Sequence, residues 1–314
     1  MSANANFKAA RAAKNDEFYT QLTDVSKELM HYKEHFRDKI VFCNCDDPTW
    51  SAFWKYFHLN FEKLGLKKLI STHYDRTEPT YKMEYTGGND NDIETGVKTP
   101  LEGNGDFRNQ ECLDLLDESD IVVTNPPFSL ARVFIATLME HNKSFLIIGD
   151  MNWTSYKEVF PLLKDNKIWL GNCAVKEFIQ PDGSIKKFGN KLWFTNLDIN
   201  KRHEKLILWK KYTPEEYPKY DNYDAIEVSR VTDIPVDYDG VIGIPITFLE
   251  KYNPEQFEIL GITDRNNPYG LTTKIYTAKD GANYSNCNRR GAIRQADGTL
   301  KSTYARLLIR RKDG

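Results

Sequence analysis

Four short apolar runs set the frame of this chain: Ile40-Val41-Phe42-Cys43-Asn44-Cys45, Lys68-Leu69-Ile70-Ser71-Thr72-His73, Ile121-Val122-Val123 and Ser144-Phe145-Leu146-Ile147-Ile148-Gly149-Asp150. Each has strand length and reads as a buried strand. Between them the spacing turns helical, over Ala52–Phe57, Glu111–Leu116 and Leu130–Met139, with an earlier helix predicted over Val25–Tyr32 and capped by Thr23 or Asp24. Strands alternating with helices predict an α/β fold. Residues 86–106 are rich in Gly, Asn and Asp and read as a long surface excursion or hairpin. Lys157–Leu163 is a further helix pattern. Val175–Ile179 and Leu192–Asn196 flank Pro181-Asp182-Gly183-Ser184, a hairpin signal.

Beyond Asn200 the texture changes to a basic patch (Lys201–Lys205, Lys210-Lys211), a stretch rich in Tyr, Pro and acids, and apolar runs broken by Gly and Pro. The overall charge of −2 hides an asymmetry. From Tyr212 to Asp264 the net is −9; from Arg265 to Gly314 it is +8, with Tyr269, Tyr276, Tyr284 and Tyr304 interleaved. Such a basic block suits a phosphate backbone, or is a solvated surface. No run of 18 apolar residues predicts a membrane span, and Met1–Phe7 lacks the apolar core of a signal peptide. Five cysteines without a Cys-x-x-Cys pair fit a reduced cytoplasm and no zinc or other metal site.

The candidate chemistry lies at Thr124-Asn125-Pro126-Pro127-Phe128, between the third apolar run and its helix. A strand-to-helix turn is where α/β sheets hold ligands. An exocyclic amine on a base is a poor nucleophile, because its lone pair is delocalised into the ring. Two acceptors drawing on its N–H bonds push the nitrogen toward a tetrahedral, nucleophilic shape. The Asn125 side-chain oxygen is one such acceptor. The Pro126 carbonyl is the natural second, aimed rigidly because two prolines in a row fix the backbone. Phe128 offers a face on which a base stacks. No strong base is needed, and the motif contains none. The bland alternative is a turn that merely ends a strand.

These residues resemble the active-site motif of amino-methyltransferases that use S-adenosylmethionine. Together with Asp46-Asp47-Pro48, Gly105-Asp106-Phe107 and the block Val241–Gly261, they resemble the EcoRI-type adenine-specific DNA methyltransferases, from about Asp16 to about Gly261. The resemblance implies a Rossmann-like sheet, mostly parallel and closed by an antiparallel hairpin, with a C-terminal target-recognition region. It implies that Phe18-Tyr19-Thr20 lines the pocket for the methionine end of the cofactor, that Asp46, Asp47 or Pro48 on the first strand–helix turn holds its ammonium group or ribose, and that Asp106 and Phe107 take its adenine. The chain departs from the wider methyltransferase pattern in having no Gly-x-Gly at that turn. Trp193 or Phe178 is the candidate to stack on the far face of the flipped base, or either is core. Arg289, Arg290 and Arg294 are candidates for DNA contact.

The domain reading is a basic arm over 1–14, a catalytic domain over 15–199 and a target-recognition region over 200–314. The expected function is methylation of the N6 amine of a flipped-out adenine in double-stranded DNA, in a restriction–modification or orphan modification system. A cognate restriction endonuclease would act separately. The alternative keeps the chemistry on RNA adenine or guanine, or on a protein glutamine.

Overall fold

The structure is a computed structural model of the chain and describes residues 19–75, 78–180, 183–264 and 269–312. The expected arm over 1–14, Phe18, the turn residues Pro181 and Asp182, and Arg265, Asn266 and Asn267 lie outside the described residues. The described residues fall into two compact units. One takes the chain up to Met151 together with Leu170–Ile199; the other takes Asn152–Trp169 and the chain from Asn200. Residues 152–169 therefore group with the C-terminal residues rather than with the stretch that surrounds them in sequence.

The first unit is built on a nine-stranded sheet. Its strands are β1 (Tyr19–Thr20), β2 (Ile40–Cys43), β3 (Lys68–His73), β4 (Tyr81–Tyr85), β5 (Val97–Pro100), β6 (Ile121–Thr124), β7 (Ser144–Asp150), β8 (Trp169–Ile179) and β9 (Ile185–Thr195). They lie in the order β1-β8-β9-β7-β6-β2-β3-β4-β5. The four central strands are parallel, with Ile40 opposite Lys68, Val41 opposite Ile121 and Ile121 opposite Ser144. These are the four apolar runs of the sequence. Val41, Phe42, Ile70, Val122, Val123, Leu146 and Ile147 are wholly buried, as strands covered on both faces must be. The flanks are antiparallel: β9 runs against β7, and β4 and β5 extend the sheet beyond β3. The expected α/β fold with an antiparallel closing hairpin is what forms.

The helices α1 (Leu22–Leu29), α2 (Ala52–Leu59), α3 (Phe61–Leu64), α4 (Gln110–Glu118) and α5 (Ala131–Glu140) connect these strands. The first starts three residues before the predicted Val25. Neither Thr23 nor Asp24 caps it; Gln21 precedes it, and Asp24 lies in the first turn, where a negative charge opposes the helix dipole. Its Glu28 is fully buried and accepts from the Asn172 and Cys173 backbone N–H groups and the Tyr32 hydroxyl, each at 2.7 Å.

The second unit holds the short helix α6 (Phe160–Lys164), the helical turn α7 (Tyr284–Cys287), and strands β10 (Ile226–Glu227), β11 (Ile242–Pro245), β12 (Phe257–Ile262), β13 (Ala292–Arg294), β14 (Leu300–Ser302) and β15 (Arg306–Arg311). Four of these strands make a sheet in the order β10-β11-β15-β12; β13 and β14 pair apart. The acidic and basic blocks of the sequence meet here. Lys274 and Arg294 pair with Asp221, Arg290 with Asp264, Arg306 with Glu227, Arg310 with Glu258 and Arg311 with Asp239. Much of the basic block is thus neutralised inside its own unit.

Candidate active site

The Asn-Pro-Pro-Phe turn leaves the end of β6, a central strand, and passes through one 3-10 turn (Phe128–Leu130) into α5. The next parallel strand, β2, ends in its own turn, Asn44–Trp50, before Ser51 caps α2 by accepting from the Phe53 and Trp54 N–H groups at 3.1 and 3.3 Å. The two turns are tied by one side chain. Asp46 is buried; its carboxylate accepts from the Thr124 hydroxyl, from the Ser51 hydroxyl at 3.2 Å and from the Asn125 backbone N–H. Its carbonyl accepts from Ser71 on β3. Burial pushes the Asp46 carboxyl up to about 7, and the three hydrogen bonds only partly offset this. Asn125 Oδ1 is a buried acceptor beside this link.

Asp47 faces the other way. Its Oδ1 accepts from the Thr49 N–H (2.9 Å), the Thr49 hydroxyl (2.7 Å) and the Tyr81 hydroxyl (2.8 Å), and its Oδ2 lies 2.9 Å from His73 Nδ1. Two residues after Pro48 comes Trp50, whose ring centre lies 3.9 Å from that of Tyr19. The short strand β1, pairing Tyr19 with Ile179 and Thr20 with Phe178, therefore sits beside the β2 turn. The Gly103–Asp106 loop comes to the end of β3: the Asp75 N–H donates to the Asn104 carbonyl, and Gly105, at φ 72°, has no room for a Cβ against the His73 carbonyl. Asp106 is held bidentately by Arg108. Phe107 is buried edge-on to Phe134 at 5.0 Å. Tyr19, Thr20, the Asp46-Asp47-Pro48 turn and Asp106 thus collect around the carboxyl ends of β2 and β3, where an open α/β sheet holds a ligand.

The candidates for base stacking part company. Phe178 on β8 lies edge-on to Phe128, with ring centres 6.3 Å apart. Trp193 is wholly buried against Phe53 at 5.9 Å and is not brought to that group. Two residues that sequence reasoning missed complete it. Lys191 Nζ lies 4.5 Å from the Phe128 ring centre and 4.8 Å from that of Phe188, and it pairs with Asp150 at the end of β7. Phe188 is edge-on to Phe178 at 5.5 Å. The ammonium is thus enclosed by a carboxylate and two ring faces. Lys191 and Asp150 are 41 residues apart, so no local pattern announces the pair. In the second unit, Arg290 and Arg294 are engaged by Asp264 and Asp221. Burial alone would raise the Asp221 carboxyl, but hydrogen bonds from Lys274, Tyr276 and Arg294 bring it down to about 2. Arg289 is exposed.

A methionine-derived sulfonium nucleoside brings an ammonium group, ribose hydroxyls and an adenine. Several buried polar atoms at this end of the sheet fit such a ligand: Asn44 Oδ1 on the β2 turn, Thr72 Oγ1 on β3 and Thr20 Oγ1 on β1 have no hydrogen-bond partner. Buried polar atoms are paired as a rule, and a donor-rich ligand would pair these. Among the described residues no cluster of His, Cys, Asp and Glu could hold a metal, and no helix is long and apolar enough to cross a membrane.

Comparison with known proteins decides the family. The model of the adenine-specific methyltransferase EcoRI family matches residues 6–312. The chain belongs to that family. Its match is wider than the stretch of motifs read from the sequence. The chain is 48% identical over 295 residues to the Type II methyltransferase M.EcoRI of Escherichia coli, covering 83% of this chain and 90% of that one. It is 36% identical over 327 residues to M.MpnI of Mycoplasma pneumoniae, covering 98% of both. It is likewise 36% identical over 330 residues to M.MgeORF184P of Mycoplasma genitalium, covering 98% of this chain and 99% of that one. No solved structure matches. The expected enzyme, an adenine-specific methyltransferase, stands on this membership, and methyltransferases of this kind use S-adenosylmethionine.

Proposed function

We propose that this enzyme transfers a methyl group from S-adenosylmethionine to the N6 amine of an adenine flipped out of double-stranded DNA, at a specific site. The observation that carries the reading is the Asp46 link, which ties Asn125 to the neighbouring strand–helix turn on which the cofactor is proposed to lie. Tyr19, Thr20, Asp47 and Pro48 line the cofactor's methionine and ribose end, and Asp106 and Phe107 its adenine. The bound cofactor supplies an electrophilic methyl group on a sulfonium.

The chain supplies the rest. A duplex hides the target amine, so the base must leave the stack. Asn125 Oδ1 and the Pro126 carbonyl accept its two N–H bonds and turn the nitrogen lone pair toward the methyl. Phe128 stacks on the base, and Phe178 with Phe188 closes the apolar wall beside it. Lys191 fixes the Phe128 ring and donates toward a ring nitrogen of the base. After transfer the amine sheds one proton to water. Catalysis comes from positioning and from aimed acceptors, so no strong base is required. Arg289, with Arg290 and Arg294 behind it, contacts the duplex. In a restriction–modification system a cognate endonuclease would act separately; in an orphan system there is none.

The test is methyl transfer from radiolabelled cofactor to unmethylated genomic DNA, with total RNA and protein extract in parallel, followed by nucleoside analysis. Label appears as N6-methyladenine in DNA, and Asn125→Ala loses it while still binding cofactor. Label in RNA or in protein glutamine would overturn the substrate. Full activity of Asn125→Ala would overturn the mechanism.

A further inference from the structure

The second unit contains a short extended strap, residues 205–211, whose side chains alternate in exposure. Leu206, Leu208 and Lys210 are half-buried; Lys205, Ile207, Trp209 and Lys211 point outward. Ile207 is 91% exposed and Trp209 is 68% exposed. The alternation puts these four on one face, about 7 Å from one to the next where the backbone is extended. The strap is not loose. Gln256 pairs with Leu206 through both its amide atoms, at 2.7 and 2.8 Å, and Val236 donates to the Lys210 carbonyl at 2.8 Å. Lys210 pairs with Asp233 at 3.4 Å, its Nζ 5.8 Å from the Trp209 ring centre, and the Tyr212 N–H is held by Asp237. A backbone fixed at both ends therefore presents a Lys–Ile–Trp–Lys ridge to solvent.

The charge around the ridge selects its partner. In the basic C-terminal block, six cations are cancelled by acids of the same unit, as described above. Lys205 and Lys211, at the two ends of the ridge, are exposed and form no ion pair with a carboxylate among the described residues. Two unpaired ammonium groups about 20 Å apart, bracketing an apolar pair, are suited to a polyanion with flat apolar faces between its charges. Proteins that distort a duplex insert apolar wedges between base steps and anchor them with flanking cations. We infer that the 205–211 strap is a duplex-binding ridge, in which Ile207 and Trp209 lie against bases and Lys205 and Lys211 against phosphates. The inference rests on double-stranded DNA being the substrate.

The test uses the full chain and unmethylated genomic DNA sheared to short fragments. Methyl transfer, fragment binding at several salt concentrations, cofactor binding and sedimentation are measured for the unaltered chain, for Ile207→Ala with Trp209→Ala, and for Lys205→Gln with Lys211→Gln. The apolar variant should raise the KM for fragments by about tenfold or more, with cofactor binding within about twofold of the original. The lysine variant should make the slope of log affinity against log salt shallower by about 2, one for each lost phosphate contact. Trp209→Phe should retain most of the binding and remove a fluorescence change that duplex causes in the unaltered chain. If the unaltered chain methylates DNA and neither variant alters binding or salt slope, the ridge is overturned alone. If the unaltered chain neither binds nor methylates duplex, the ridge and the substrate reading fall together. If the variants change only self-association, the ridge joins two copies of the chain and does not meet DNA.

Discussion

At the scale of the residue, Asp46 is the most telling position. The sequence offered it as a cofactor ligand on equal terms with Asp47. Its carboxylate instead reaches across to β6 and is occupied by Thr124, Ser51 and the Asn125 N–H. Its raised value gives two pH trends of opposite sign. A carboxyl that titrates near the ordinary range in the unfolded chain and at about 7 in the folded one binds an extra proton when folded. The stability it lends is present below the ordinary range, falls as pH rises through the window up to about 7, and is gone above it. Activity should run the other way. Only the ionised carboxylate can accept from three donors at once, so transfer should weaken as pH drops below about 7. Asp46→Asn should remove that acid limb and lower kcat by on the order of 10²-fold, with a smaller effect on the cofactor KM. A kcat–pH profile beside a melting-temperature series checks both trends, and an unchanged acid limb in the variant would sink the assignment.

At the scale of the element, the four central strands and their helices were legible because each is a continuous apolar run followed by a polar turn and a 3.6-residue pattern. The edges were harder. Tyr81–Tyr85 alternates strictly, buried at 81, 83 and 85, but it is short and abuts the Gly/Asn/Asp-rich stretch 86–106, and the sequence alone assigns it to no element. Phe188 was missed for a different reason: an aromatic on β9 is core or wall according to how that strand is covered, which composition does not carry. Trp193 went to the core and Phe188 to the wall. Glu28 did leave a signal. It interrupts the apolar stripe Val25 and Leu29 of α1, which Tyr32 continues beyond the helix end, and a charge there must be matched. Its partners lie on β8, where Gly171 is required: a Cβ would collide with the Glu28 carboxylate and come within 2.7 Å of Trp193 Cβ. Gly171→Ala should lower stability by about 1–3 kcal/mol in urea unfolding, through forced displacement of a packed neighbour. Wild-type stability in that variant would mean the carboxylate moves freely.

At the scale of the whole molecule, opposite charges separated in sequence become ion pairs in space. The acidic stretch 212–264 and the basic stretch that follows it neutralise each other within one unit, so the net charge of a segment was a poor guide to its outer face. The second unit is also discontinuous. Phe160 lies edge-on to Tyr269 at 5.3 Å, and the Arg202 guanidinium stacks 3.6 Å above the Trp169 ring while donating to Asn166. The excursion 152–169 is therefore part of the hydrophobic and polar interior of the C-terminal residues.

On the proposal that the second unit reads the target site, that interleaving limits how new specificities can be acquired by recombination. A single crossover near Asn200, the point that composition suggests, would separate Trp169 and Phe160 from the residues they were selected with. A chimera with M.EcoRI exchanged at that one joint should be poorly soluble or inactive. Exchanging 152–169 together with everything from 200 onward should restore folded protein and carry the donor's site preference with it, as soluble yield and sequencing of the methylated positions would reveal. Lineages of such enzymes should then diversify by point substitution on the outer face of this unit more readily than by shuffling of its parts.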